Sequence, residues 1–321
     1  MIPDLSVIIP ARNEEWLAQT VNDVITKSKL ETEAIVILDG YTEKAPELPQ
    51  NSKIKIIKHD VSIGQRAATN EGVKNSAAKY IMKLDAHCAL DDEFDEKLIS
   101  DMQPDWTMVP RMYNLHTFSW KCKICGKKWY MGPVPTKCQN PECDNTKHFK
   151  KKIVWKPRWS RRSDFMRFDN ALHFQYWREY KKRPEAQGDV VDQMCCLGAC
   201  WMMERERYWA LDGLDENHGS WGQMGVEIAL KSALSGGRQV VNKKTWFAHM
   251  FRTQPGFGFP YPNPGIGARK YSQDLWFNNK WPKQQHKLSW LLEKFWPIEG
   301  WTEEDLQKQK ERELWPGKKL I

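Results

Sequence analysis

No apolar run in the 321 residues approaches the ~20 that a membrane-crossing helix needs, so no membrane partner is expected. The opening residues, MIPDLSVIIPARNEE, have no basic stretch before their apolar run and no small-residue cleavage site, which argues against a secretion signal. There is no G-x-G-x-x-G turn and no Walker A lysine loop, so neither a dinucleotide enzyme nor a P-loop NTPase is expected. Cysteine is not scarce, at eight residues. Without a secretion signal those residues point to metal ligands or plain buried thiols, not disulfides. These absences together predict a cytoplasmic protein.

Excess charge is also missing from most of the chain. Outside residues 119–162 there are 36 basic and 39 acidic residues; inside that stretch thirteen Lys and Arg face only Glu142 and Asp144. The formal charge of +8 therefore comes from one segment.

What is present reads as an α/β protein. Leu5–Pro10, Ala34–Leu38 and Tyr80–Leu84 are short, strongly apolar stretches with strand character, and Lys53–Lys58, KIKIIK, reads as a further strand. A helix with Leu17, Val21, Val24 and Ile25 on one face follows the first, and Gly64–Ala78 is expected to be helical. Alternating strands and helices imply βαβ crossovers and a Rossmann-like, mostly parallel sheet flanked by helices. Lys287–Trp296 and Thr302–Glu313 predict a helical C-terminal extension.

The fourth strand ends in Asp85-x-His87. Ligands of open α/β sheets bind beyond the carboxyl ends of strands. Two residues apart on an extended chain, both side chains point the same way. A carboxylate and an imidazole together suit Mn²⁺ or Mg²⁺. So short a triplet also fits a solvated Asp and a surface His.

Cys122-x2-Cys125, twelve residues, then Cys138-x4-Cys143 is zinc-ribbon spacing. A structural Zn²⁺ is expected there, with Gly126 after the first pair and His148 as a competing ligand. Cys88, Cys195, Cys196 and Cys200 lack such pairing and are expected to be buried thiols. The ribbon lies in the basic segment, where Trp120, Trp129, Trp155 and Trp159 alternate with cations. Cations neutralise phosphates and rings stack on unpaired bases, so a nucleic-acid partner is expected. A ribbon can also be a plain staple for a long loop.

Val7–Glu15, VIIPARNEE, is similar to the opening strand and loop of family 2-type glycosyltransferases of the GT-A fold. The resemblance implies donor contacts from Pro10, Arg12, Asn13 and Glu14. Leu38-Asp39-Gly40 stands where that family has Asp-Asp-Gly, with only the second acid kept. Gly64-Gln65-Arg66 and Asn70 resemble the helix that approaches the nucleotide. LDAHC, residues 84–88, resembles the polypeptide N-acetylgalactosaminyltransferases, whose metal motif is Asp-x-His. Trp221–Ile228, Ser235-Gly236-Gly237 and Ala248–Arg252 resemble later segments of the same group, in the same order.

That resemblance implies Asp85, His87 and His249 as ligands of Mn²⁺ or Mg²⁺ and a UDP-sugar as donor. It places Asp39 and Arg66 at the uridine, Gly64 and Asn70 nearby, Arg252 at the diphosphate and Trp221 at the sugar or acceptor pocket. Core packing is the alternative for Trp221. The Pro/Gly-rich residues 255–267 correspond to a mobile loop over the donor. Met224 and Gly225 replace an acid-bearing pair that supplies the general base in inverting relatives. Glu227 is the nearest acid, either catalytic or a structural carboxylate. A retaining reaction is the expectation.

The chain is accordingly expected to be one GT-A domain over 1–321. Residues 1–112 form its nucleotide-binding half, 119–162 a basic zinc-ribbon insertion and 163–255 its acceptor and catalytic half. Residues 256–321 form the loop and C-terminal helices. The expected acceptor is a hydroxymethylated pyrimidine in DNA, as in bacteriophage-modified genomes, with protein Ser or Thr hydroxyls second. A non-catalytic nucleic-acid-binding protein on a decayed transferase fold is the reading from another class.

Overall fold

The computed structural model describes residues 2–260 and 265–314. β1 (Leu5–Ala11) is buried along its whole length, and α1 (Leu17–Lys27) packs Leu17, Val21 and Val24 inward. β2 (Thr32–Asp39) and β3 (Ile54–His59) follow, then α2 (Gln65–Lys74) and β4 (Tyr80–Leu84). The strands run β3-β2-β1-β4, all parallel. Continuous apolar runs suit strands covered on both faces, and each fully buried Val or Ile contributes about 1.5–3 kcal/mol. The helix predicted over Gly64–Ala78 is shorter than expected. Asn75 bonds back to the carbonyls of Glu71 and Gly72, and Ser76 turns the chain toward β4.

Beyond β4 the chain makes β5 (Cys88–Leu90), α3 (Phe94–Ile99) and β6 (Trp106–Cys122). β7 (Lys128–Tyr130) and β8 (Phe149–Ser163) complete the ribbon hairpin. The expected boundary at residue 119 is not a structural break. β6 runs unbroken from the core into the ribbon, pairing with β8 from Met112 to Cys122.

β9 (Met166–Phe168) and β10 (Phe174–Tyr176) pair separately from the main sheet. β11 (Val190–Asp192), β12 (Cys200–Glu204), α4 (Arg205–Ala210), α5 (Met224–Leu234) and β13 (Arg238–His249) finish the core. The sheet continues β4-β12-β6-β13-β11. β12 is antiparallel to both its neighbours, and β13 is parallel to β6. α6 (Gly265–Phe277), α7 (Leu288–Lys294) and α8 (Glu303–Leu314) form the extension. α7 is shorter than the predicted Lys287–Trp296, since Phe295 caps it and Pro297 follows. Of the stretch read as a mobile loop, residues 261–264 lie outside the described residues, as do 315–321.

Candidate active site

The carboxyl ends of β2, β1 and β4 lie side by side, so Asp39, Arg12 and Asp85 share one edge of the sheet. β13 reaches the same edge from the other half. His249 pairs with Cys88, and the Met250 amide donates to the His87 carbonyl at 3.2 Å. One ligand atom each from Asp85, His87 and His249 lies within 4.8 Å of the others. The Nε2 atoms of the two histidines are 3.0 Å apart, and His249 Nε2 is 3.4 Å from Asp85 Oδ2.

The surroundings prepare these groups as ligands. Glu14 is 2.9 Å from His87 Nδ1. An ionised carboxylate only accepts, so Nδ1 donates to it and Nε2 is the ring nitrogen turned toward Asp85 and His249. Burial pushes the Glu14 carboxyl up, but His87 and Arg252 hold it below the usual range. Desolvation pulls His249 down to about 4, leaving its ring neutral near pH 7 despite the adjacent Asp85. Burial raises Asp85, and Lys83 with the two histidines outweighs it, keeping the carboxylate ionised. A carboxylate and two imidazoles on one point fit a divalent cation.

Two cavities share Asp85 and His87, and the larger of the two also takes in His249. Pro10, Arg12, Glu14 and Asp39 line one, with Trp221 across from them. The other, about 320 Å³, is walled by Phe174, Leu197, Trp221, Met224 and Phe251, with Arg252 at its rim. Asp85 is the only carboxylate among its described lining residues. Arg12 Nε, Arg252 Nη1, His249 Nδ1 and Gln223 Oε1 are buried polar atoms here with no partner. Buried polar groups are normally paired, so these atoms beside the cleft are available to a ligand.

Residues 6–211 match the family model described as glycosyl transferase family 2. The chain belongs to that family. It is similar to the probable N-acetylgalactosaminyltransferase 9 of Caenorhabditis elegans, 24% identical over 283 residues, which cover 84% of this chain and 42% of the relative. It is also similar to polypeptide N-acetylgalactosaminyltransferase 3 of Drosophila melanogaster, 24% identical over 81% of this chain and 36% of that one. The crystal structure described as GalNAc-T7 with UDP, GalNAc and Mn²⁺ superposes with a TM-score of 0.63 at 18% identity, over 98% of this chain and 55% of that one. That likeness gives the fold, GT-A. The family 2 chain spans about half or less of the length of these relatives.

Two residues placed at the donor by the resemblance, Arg66 and Asn70, and the candidate catalytic acid Glu227 make contacts elsewhere in this family 2 fold. Arg66 is buried and donates to Glu227 at 3.0 Å and to the carbonyls of Gly219 and Gly222 at 2.8 and 2.6 Å. It braces the loop that carries Trp221. Asn70 holds the turn before that loop, donating to the Leu214 carbonyl and accepting from the Leu214 amide. Glu227 is fully buried among Arg66, Lys231 and the Asp215 amide, which removes it as a catalytic base. No side chain fits at Gly225, because a Cβ there would stand 1.9 Å from the Cys196 carbonyl oxygen.

Other expected donor residues hold the cleft's frame. Asn13 uses both ends of its amide on Thr42. Asp39 accepts from Ser62 and from the amides of Ile63 and Gly64, fixing the start of α2 while still lining the cleft. Gly64 has φ +94°, and a Cβ would reach Ser220 at 3.2 Å.

Sequence reasoning missed two neighbours of Asp85. Gln65 donates to Oδ1 at 3.0 Å, and the fully buried Lys83 bonds both Oδ1 and the Gly198 carbonyl. The signal for Lys83 was a lysine inside the apolar strand Tyr80–Leu84, since lysine is rarely fully buried without a partner.

The four ribbon cysteines converge, with Sγ pairs at 3.6 and 3.8 Å and all four within 4.8 Å. Burial raises the Cys122 thiol, but the amides of Cys125 and Ile124 and the Asn145 side chain outweigh it, to about 6. His148 is outside the cluster. Cys88, Cys195, Cys196 and Cys200 are buried and free. Of the four ribbon tryptophans only Trp159 is exposed, at 60%. Trp155 stacks on Trp16 and donates to Asp23, Trp120 donates to the Gly132 carbonyl, and Trp129 packs on Phe149.

Proposed function

We propose that this family 2 chain is a divalent-metal-dependent glycosyltransferase that moves a sugar from a UDP-sugar to a hydroxymethylated pyrimidine in DNA. The convergence of Asp85, His87 and His249 at the mouth of two cavities carries the reading. Those three would hold Mn²⁺ or Mg²⁺. The cation, when bound, offsets the charge of the departing nucleotide diphosphate. The related GalNAc-T7 structure contains UDP and Mn²⁺, which supports the same pairing here.

The chain's own residues would do the rest. Arg12 and Arg252 offer unpartnered guanidinium nitrogens to phosphate oxygens. Asp39, held by Ser62, Ile63 and Gly64, would shape the nucleoside side of the cleft through that loop, and Trp221, which lines both cavities, would stand between donor and acceptor. Among the described residues Asp85 is the only carboxylate lining the larger cavity, which speaks against an inverting displacement that needs a separate carboxylate base. A retaining, front-side transfer is the reading. Buried free thiols and a thiolate cluster suit a reducing compartment such as the cytoplasm.

A register line across the sheet supports a DNA acceptor. His249 pairs with Asn114 on β6, and Asn114 pairs with Arg158 on β8. The basic strand is thus two strand spacings from the metal ligands, roughly 9–10 Å. Exposed Lys150, Lys152, Lys156, Arg161 and Arg162 lie along it with Trp159. If the base lies within a duplex it must be flipped out to react. The zinc ribbon would stiffen the tip of this strand pair.

The test is UDP release from a panel of UDP-sugars with Mn²⁺, using hydroxymethylated DNA, unmodified DNA or peptides. Turnover on hydroxymethylated DNA alone is expected. Turnover on peptides alone replaces the acceptor, and none with any donor overturns the reading.

A further inference from the structure

Glu14 is 2% exposed and reaches three separate segments of the site. One oxygen, Oε2, is 2.9 Å from His87 Nδ1. Arg252 Nη2 reaches both oxygens, at 3.0 and 3.1 Å. Oε1 also faces the Trp16 amide at 3.4 Å. The Glu14 backbone is fixed as well, because its amide donates to the Tyr41 hydroxyl at 3.1 Å. Both carboxylate oxygens are engaged by protein. Glu14 is therefore badly placed to touch a nucleotide, which is the part its motif implies.

The partners of Glu14 belong to two different jobs. His87 turns its Nε2 toward Asp85 and His249, 3.0 Å from His249 Nε2, at the proposed cation site. Arg252 keeps Nη1 buried and unpartnered on the cleft, where a phosphate oxygen would sit. We propose that Glu14 is a positioning residue that locks the cation ligand His87 and the phosphate-facing Arg252 into one geometry, so that cation and diphosphate are bound as a unit. This rests on the donor and metal reading above.

An amide cannot replace the carboxylate. Glutamine offers one acceptor and one donor group where His87 Nδ1–H and Arg252 both require an acceptor. If its oxygen serves Arg252, its NH₂ faces Nδ1 and drives the His87 proton to Nε2, removing the lone pair a cation needs. If the oxygen serves His87, the NH₂ opposes the guanidinium and Arg252 is released. Partners that orient a metal-binding histidine typically matter about 10- to 100-fold in metal affinity.

The experiment compares wild type, Glu14→Gln and Arg252→Met in three readouts. These are the His87 tautomer by ¹⁵N imidazole NMR of metal-free protein, Mn²⁺ affinity by EPR of free Mn²⁺, and UDP affinity at saturating Mn²⁺. Glu14→Gln is expected to shift His87 away from the Nδ1–H form, weaken Mn²⁺ about 10- to 100-fold and weaken UDP. Arg252→Met is expected to weaken UDP while leaving the tautomer and Mn²⁺ affinity as in wild type. If Glu14→Gln does not fold, Glu14→Asp keeps the charge but shortens the arm, and an intermediate loss of Mn²⁺ affinity is expected. An unchanged tautomer and unchanged Mn²⁺ affinity in a folded Glu14 variant overturns the inference while the metal reading stands. Wild type that fails to bind Mn²⁺ overturns the metal reading and the inference with it.

Discussion

Arg66 and Glu227 meet at 3.0 Å inside the protein, with 1% and 0% of their side chains exposed. Arg66 lies on α2, below the donor cleft, and Glu227 on α5, behind the larger cavity. Their pairing ties the two helices together, and the remaining guanidinium nitrogens pin the Gly219 and Gly222 carbonyls on either side of Trp221. The wall of the active site is thus held from below by a buried ion pair whose members do not touch the substrate cavities.

Removing one member of such a pair leaves a buried uncompensated charge, at about 3–5 kcal/mol. Glu227→Ala should therefore lower the urea midpoint strongly. The pair also predicts acid sensitivity. Burial raises the Glu227 carboxyl, but Lys231, Arg66 and His218 outweigh it, so its folded pKa lies below the ordinary 4.5. A depressed carboxyl stabilises the fold above 4.5, and that stability disappears as pH falls through the lower folded value. Urea unfolding between pH 7 and pH 3 should show a shallower acid loss in Glu227→Gln than in wild type. Equal slopes would remove Glu227 from the account.

The sheet could be read from sequence because β1, β2 and β4 are continuous apolar runs bounded by turns, and strand character of that kind is local. Asp85 and His87 were legible for the same reason, being the first polar residues after such a run. Arg66 and Glu227 were not, since they are 161 positions apart and neither sits in a local pattern that names the other. Lys83 likewise finds its carbonyl on Gly198, 115 positions away. The basic segment's charge was visible, but not that Trp155 and Lys151 are spent on docking the hairpin to Trp16, Glu15 and Asp23.

The ribbon should carry one Zn²⁺ per chain. Elemental analysis of freshly purified protein checks this, and protein without zinc would contradict it. Cys122→Ser should lose the metal and disorder the tip beyond β7. Mn²⁺-dependent UDP binding should change little, because Asp85, His87 and His249 lie in the other part of the fold.

Lys150, Lys152 and Lys156 are exposed on β8, whereas Lys151 is paired with Glu15. Triple replacement of the first three by alanine should flatten the salt dependence of duplex binding, by roughly 0.9 in log–log slope for each phosphate no longer neutralised. Lys151→Ala should instead loosen the hairpin, visible as faster amide exchange around Trp155. A triple variant with the wild-type slope would mean that β8 is not the DNA-facing strand.

Asp85, His87 and His249 are proposed to bind a nucleotide diphosphate through a divalent cation. The direct measurement is calorimetric titration of UDP into metal-depleted protein with and without Mn²⁺, in wild type and in His249→Ala. Wild type is expected to bind UDP only when Mn²⁺ is present, and folded His249→Ala to bind little under either condition. Equal UDP affinity with and without Mn²⁺, or undiminished binding by His249→Ala, would contradict that proposal.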